Sequence, residues 1–78
     1  MTPTRLRWEC PDKDRYYETH LARDLLGDWV LTRVWGRRGT SRGRVQHTLC
    51  TSRADAHTML AAVARRRRSR GYIPIATH

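Results

Sequence analysis

The sequence predicts an α+β fold: a small antiparallel sheet of three to four strands with one C-terminal helix packed on one face. Two apolar-polar alternating runs flank Gly27-Asp28, a dipeptide that favours a tight reversal between paired strands. A second glycine-rich stretch, Gly36 to Gly43, precedes another extended run. A capped stripe of apolar residues at helical spacing then closes the chain, followed by arginines and Gly71.

Each element has a local reason. Arg5-Leu6-Arg7-Trp8-Glu9 alternates and offers a short first strand. Cys10-Pro11-Asp12-Lys13-Asp14 reads as a loop. In Arg15–Leu21 the residues Tyr17, Thr19 and Leu21 share a face, which is expected to be buried; Tyr16, Glu18 and His20 share the other. Ala22–Asp28 connects to a strand in which Trp29, Leu31, Arg33 and Trp35 line one side and Val30, Thr32 and Val34 the other. Both sides hold apolar residues, so this strand is expected inside the sheet, with Trp29 and Leu31 inward and Arg33 and Trp35 emerging at the sheet's end. Gly36–Gly43 is read as the hairpin connection. Arg44–Cys50 returns as a strand whose weak alternation suits an edge or a bulge. Ser52 is the expected helix N-cap, with Asp55 three residues on. Ala56, Met59, Leu60 and Val63 form the stripe. Arg65–Arg70 places positive charge at the helix C-terminus, which suits the dipole, and Gly71 follows as the helix-ending residue. Tyr72-Ile73-Pro74-Ile75 is a candidate strap laid back on the sheet.

Seventy-eight residues make one domain, 1–78, with a limited core. Phenylalanine is absent, so three tryptophans and three tyrosines supply most of the bulk. The net charge is +9, and it is placed unevenly. Residues 1–32 carry five basic and six acidic side chains; residues 33–78 carry eleven arginines and one acid. Such asymmetry favours an anionic partner, nucleic acid being the commonest. Surface charge also serves solubility alone.

The ordered features resemble the WGR domain. They are a tyrosine-bearing strand at Arg15–Leu21, then Gly27 and Trp29, the tripeptide Trp35-Gly36-Arg37, and Gly39 and Gly43. Ala54-Asp55-Ala56 at a helix start and a basic helix end running into Gly71-Tyr72 complete the set. The resemblance spans residues 15–72. That module occurs in DNA-dependent poly(ADP-ribose) polymerases and in many short bacterial proteins, whose single-domain form this chain resembles. The resemblance implies the sheet-and-helix architecture and a nucleic-acid-binding role, with double-stranded DNA or DNA ends as the partner. In the polymerases the motif positions lie at the DNA-break and interdomain contact, which carries over to Trp35 and Arg37 as an implication. A protein-docking role through the same surface, on an acidic partner, is the alternative.

The candidate site residues each have two readings. Trp35 packs on the sugar or base of a terminal nucleotide while Arg37 grips a phosphate with two parallel hydrogen bonds. In the other reading, Trp35 plugs the core and Arg37 pairs with an acid. Arg33 extends the anionic site, or its stem covers a tryptophan and its head reaches solvent or Glu18. Arg38, Arg42 and Arg44 surround a glycine-rich turn whose backbone amides could cradle an anion, or they decorate an ordinary hairpin. Arg65, Arg66 and Arg68 track phosphates, or form a solvated helix end. Around the helix Arg67 and Arg70 fall toward the apolar stripe, and Arg65 points away. Tyr72 completes the set.

No catalytic motif is present, and no cofactor is expected. Cys10, Cys50 and the four dispersed histidines lack the paired spacing of a zinc site, so no metal is expected, and both cysteines are expected as free thiols. Cys50 and His47 lie three apart on a strand and so on opposite faces. No apolar run is long enough for a membrane helix, and Met1-Thr2-Pro3-Thr4-Arg5 is not followed by an apolar segment, so a cytoplasmic location is expected.

Overall fold

The computed structural model describes residues 4–40 and 43–75. The strands are β1 (Thr4–Cys10), β2 (Arg15–Arg23), β3 (Trp29–Arg37), β4 (Arg44–Cys50) and β5 (Ile73–Ile75); one helix, α1 (Arg53–Ser69), lies between β4 and β5. They form one antiparallel sheet in the order β4-β3-β2-β1-β5. The described sheet therefore has five strands, against the three to four expected. The fifth is Ile73-Pro74-Ile75, which pairs with Arg7–Glu9 of β1. Three residues around a proline carry little strand signal of their own; the proline is tolerated because the strand lies at the sheet's edge. β4 is the opposite edge, the first of the two readings its weak alternation allowed, and β3 lies inside the sheet as expected.

Trp8, Tyr17, Leu21, Leu31 and Cys50 share one sheet face by register, and they form the core cluster together with Ala56 and Leu60 of α1. Met59 and Val63 are half-buried against it. The Tyr17–Thr19–Leu21 side of β2 is buried as expected, with each residue at most 6% exposed. Tyr16 is buried too, on the opposite face, because the Arg7 guanidinium lies 4.7 Å over its ring.

The helix is bounded by the chemistry its sequence announced. Ser52 Oγ accepts from the Asp55 amide at 3.0 Å, and the Asp55 carboxylate accepts from the Thr51 amide. At the other end the Gly71 and Tyr72 amides donate to the carbonyls of Arg68 and Arg67. This is a Schellman closure, and Gly71 takes the required left-handed φ of 85°. The β2–β3 turn is tighter than read, because β2 continues to Arg23. Asp24 Oδ1 accepts from the amides of both Leu26 and Asp28, a side-chain substitute for backbone turn bonds.

Candidate nucleic-acid interface

Trp35 lies on β3 as expected, and Gly36 and Arg37 continue that strand rather than opening the turn. All three residues pair with β2: Trp35 opposite Tyr17, Gly36 opposite Tyr16 and Arg37 opposite Arg15. The expected connection Gly36–Gly43 therefore shortens, because β2 supplies partners that a local reading cannot see. The consequence is geometric. Side chains alternate along a strand, so Arg33, Trp35 and Arg37 stand on the helix side of the sheet while Gly36 faces the other way. There Gly36 meets the Tyr16 ring and Gly43. A Cβ on Gly43 would lie 2.5 Å from the Tyr16 hydroxyl and 2.6 Å from the Trp35 carbonyl oxygen. Glycine at 43 thus lets the chain leave the turn directly behind Trp35.

Tyr17 is the hub of the helix side. Trp35 stacks on it at 5.8 Å with the ring planes 15° apart. Trp8 and Tyr72 approach it edge-on at 6.2 and 6.5 Å. The Arg67 guanidinium sits 4.2 Å from the Tyr17 ring centre and 4.9 Å from that of Tyr72. Arg67 and Tyr72 are brought together by the Schellman closure, which folds the chain after Gly71 back beside its own last helical turn. A guanidinium stacked on aromatic rings keeps its planar donors oriented.

These groups line a cleft of about 470 Å3, with Trp35, Tyr17 and Tyr72 among its aromatic walls and Lys13, Arg15 and Arg67 among its cations. It adjoins a larger open groove of about 1000 Å3 between α1 and the β3–β4 side of the sheet. Of the residues singled out in the sequence, Trp35, Arg33 and Tyr72 meet in the cleft. Arg65, Arg66 and Arg68 line the groove with Arg33. Arg37 and Arg44 are exposed near the cleft's strand end, where Arg44 pairs with Trp35 in register. Arg42 lies outside the described residues.

Arg38 is engaged elsewhere. Its guanidinium donates to Asp14 at 3.0 Å and to Glu9 at 3.3 Å, tying the β3–β4 turn to the β1–β2 turn. Arg7, on the far face of the sheet, bonds Glu9 and Glu18. Arg7 first and then Arg38 hold the Glu9 carboxyl below its usual range. Glu18 is thereby committed to Arg7, and Arg33, on the opposite face, hydrogen-bonds Gln46 of β4 instead. Among the described residues, Arg33, Arg37, Arg44 and Arg67 have no ion-pair partner. Much of the acidic charge is thus paired on the far face and in the β1–β2 turn, leaving net positive charge around Trp35.

Sequence reasoning did not assign Lys13, Arg15, Tyr17, Arg67 or Arg70 to the site. Arg67 had a usable signal: it follows Leu60 by seven and Val63 by four, so it continues the apolar stripe into the aromatic cluster. Lys13 and Arg15 had none, since only the register of β2 against β3 brings them near Trp35. For chemistry of other kinds there is little material. Cys10 and Cys50 are buried free thiols, and burial, followed by the charge of Asp55, pushes the Cys50 thiol's pKa up, away from the reactive thiolate. Among the described residues no group of three His, Cys, Asp or Glu side chains could hold a metal ion, and no helix is long and apolar enough to cross a membrane.

The family model for the WGR domain matches residues 6–78. The chain belongs to the WGR domain family. Neither the curated proteins nor the solved structures yield a match. WGR domains are generally nucleic-acid-binding modules, and in this WGR domain Trp35 and Arg37 of the family's signature stand on the cationic, aromatic side of the sheet.

Proposed function

We propose that this WGR domain binds DNA at ends or nicks, as a non-catalytic module acting in the cytoplasm. The observation that carries the reading is the Tyr17–Trp35 stack, set among arginines that have no acidic partner among the described residues. Trp35 is half-buried: one part of the indole is used by Tyr17, and the rest lines the cleft. A terminal nucleotide offers a sugar and base face that a stacked interior nucleotide does not. Arg37, exposed two residues on, supplies the planar fork for a phosphate.

Trp35→Ala is expected to weaken binding to a linear 5′-phosphorylated duplex by about 1–3 kcal/mol, by analogy with base–aromatic stacking. Arg37→Lys is also expected to weaken it, because lysine keeps the charge and loses the two-pronged geometry. The matched control is a covalently closed circle of the same sequence, with circular dichroism to confirm folding. Equal losses on both substrates would refute end recognition. No loss on either, in folded protein, would favour the second reading, a protein-docking module for an acidic partner.

The helix end contributes through bulk charge. Arg65, Arg66 and Arg68 are all exposed, so their joint replacement by Gln is expected to leave the fold intact. Affinity should fall similarly for all sequences, and log affinity should depend less steeply on log salt. An unchanged slope in a salt titration would show that this end does not touch phosphate.

A further inference from the structure

The groove beside α1 asks for a ligand that the terminal nucleotide at Trp35 does not fill. It exists because α1 leaves the edge strand β4 largely uncovered. Ala56 and Leu60 are the buried residues of the helix. On the β4 side, Gln46 stays exposed and Thr48 half-exposed. The space between is lined by Met59, Val63 and Thr48, with Arg33, Arg66 and Arg70 also bordering it. The groove is continuous with the Trp35 cleft, because Tyr17, Arg33, Arg67 and Arg70 border both.

Resting on the nucleic-acid reading above, we propose that this groove takes the unpaired strand that continues from the nucleotide held at Trp35, so that the domain prefers DNA ends carrying a single-stranded extension. The chemistry is a cationic track beside a partly apolar floor. Arg33, Arg66 and Arg70 supply charge for the backbone phosphates; Met59 and Val63 offer apolar surface to base faces, and the half-buried Trp35 offers its indole at the cleft end. Unpaired bases expose those faces, and paired, stacked bases do not. The volume agrees: the groove and cleft are each as large as pockets that enclose a drug-sized molecule, which is the scale of one nucleotide. An acidic peptide would satisfy the arginines, but it would leave the part of the Trp35 indole that lines the cleft without a flat partner.

The test is fluorescence anisotropy of the full chain with one labelled duplex, either blunt or extended by six unpaired nucleotides at the 3′ or the 5′ strand. Wild type is expected to bind at least one extended duplex about tenfold more tightly than the blunt one, the equivalent of about one base–aromatic contact. Ala62→Glu places a carboxylate in the groove from an exposed helix position, using a good helix former. It is expected to abolish the preference, and to weaken blunt binding no more than the same charge change does outside the groove. Ala61→Glu carries the same charge change at an exposed helix position that does not line the groove, and is expected to keep the preference. Tight binding that ignores the extension, or equal effects of the two variants, would overturn the groove assignment alone. Failure of wild type to bind any of the duplexes would overturn the nucleic-acid reading as well. A glutamate-rich peptide that binds as tightly as the extended duplex, and loses that binding in Ala62→Glu, would reassign the groove to an acidic protein.

Discussion

Tyr17→Ala is expected to destabilise the protein by about 3–5 kcal/mol, the range for removing a large buried aromatic side chain. Tyr17 is 6% exposed and is the one ring that touches Trp8, Trp35, Tyr72 and Arg67 together. Its loss would open a cavity between sheet and helix end, and it would leave the Arg67 guanidinium beside Tyr72 alone. A domain of this size has little stability to spare, since folded proteins as a class hold only about 5–15 kcal/mol. Urea denaturation followed by tryptophan fluorescence would measure the change. Tyr17→Phe keeps the ring and its contacts, so it should remain close to wild type in stability and in DNA affinity. A Tyr17→Ala loss below about 1 kcal/mol would mean that the cluster is not organised around this ring.

Leu60→Ala is expected to cost about 2–5 kcal/mol. Leu60 is 8% exposed and sits in the core with Leu21, Leu31 and Ala56. The truncation removes a principal contact through which α1 is held to the sheet, while leaving the Ser52 cap and the Gly71 closure untouched. The expected signature is a lower urea midpoint with the folded state's helical circular dichroism preserved. Ala61→Glu, exposed one residue along, should change stability little. Comparable losses at positions 60 and 61 would contradict the assigned helix face.

The arginines show where local reading stops. Arg38 and Arg44 flank the same turn and look alike in the sequence. Arg38 meets Glu9 and Asp14 because β1, β2 and β3 align their turns at one end of the sheet. Arg44 stands in register with Trp35 on the opposite side. Likewise Arg67 is one of four consecutive arginines, yet among the described residues only its guanidinium lies against two tyrosine rings. Its angular position on the helix was legible; the rings it would meet were not, because Tyr17 lies fifty residues earlier in the chain.

The sequence by itself determined the α+β class, the interior place of β3 and both ends of α1. It also determined membership in the WGR family, since the signature residues are written in order along the chain. These are products of interactions spanning a few residues: alternation, capping and turn preference. Tertiary structure decided that Gly36 and Arg37 continue β3, that Ile73–Ile75 adds a fifth strand, and that Gly43 must be glycine behind Trp35. It also decided which arginines are paired with acids and which surround the cleft. Those outcomes depend on register between distant strands, where one residue of slip would turn every side chain to the other face.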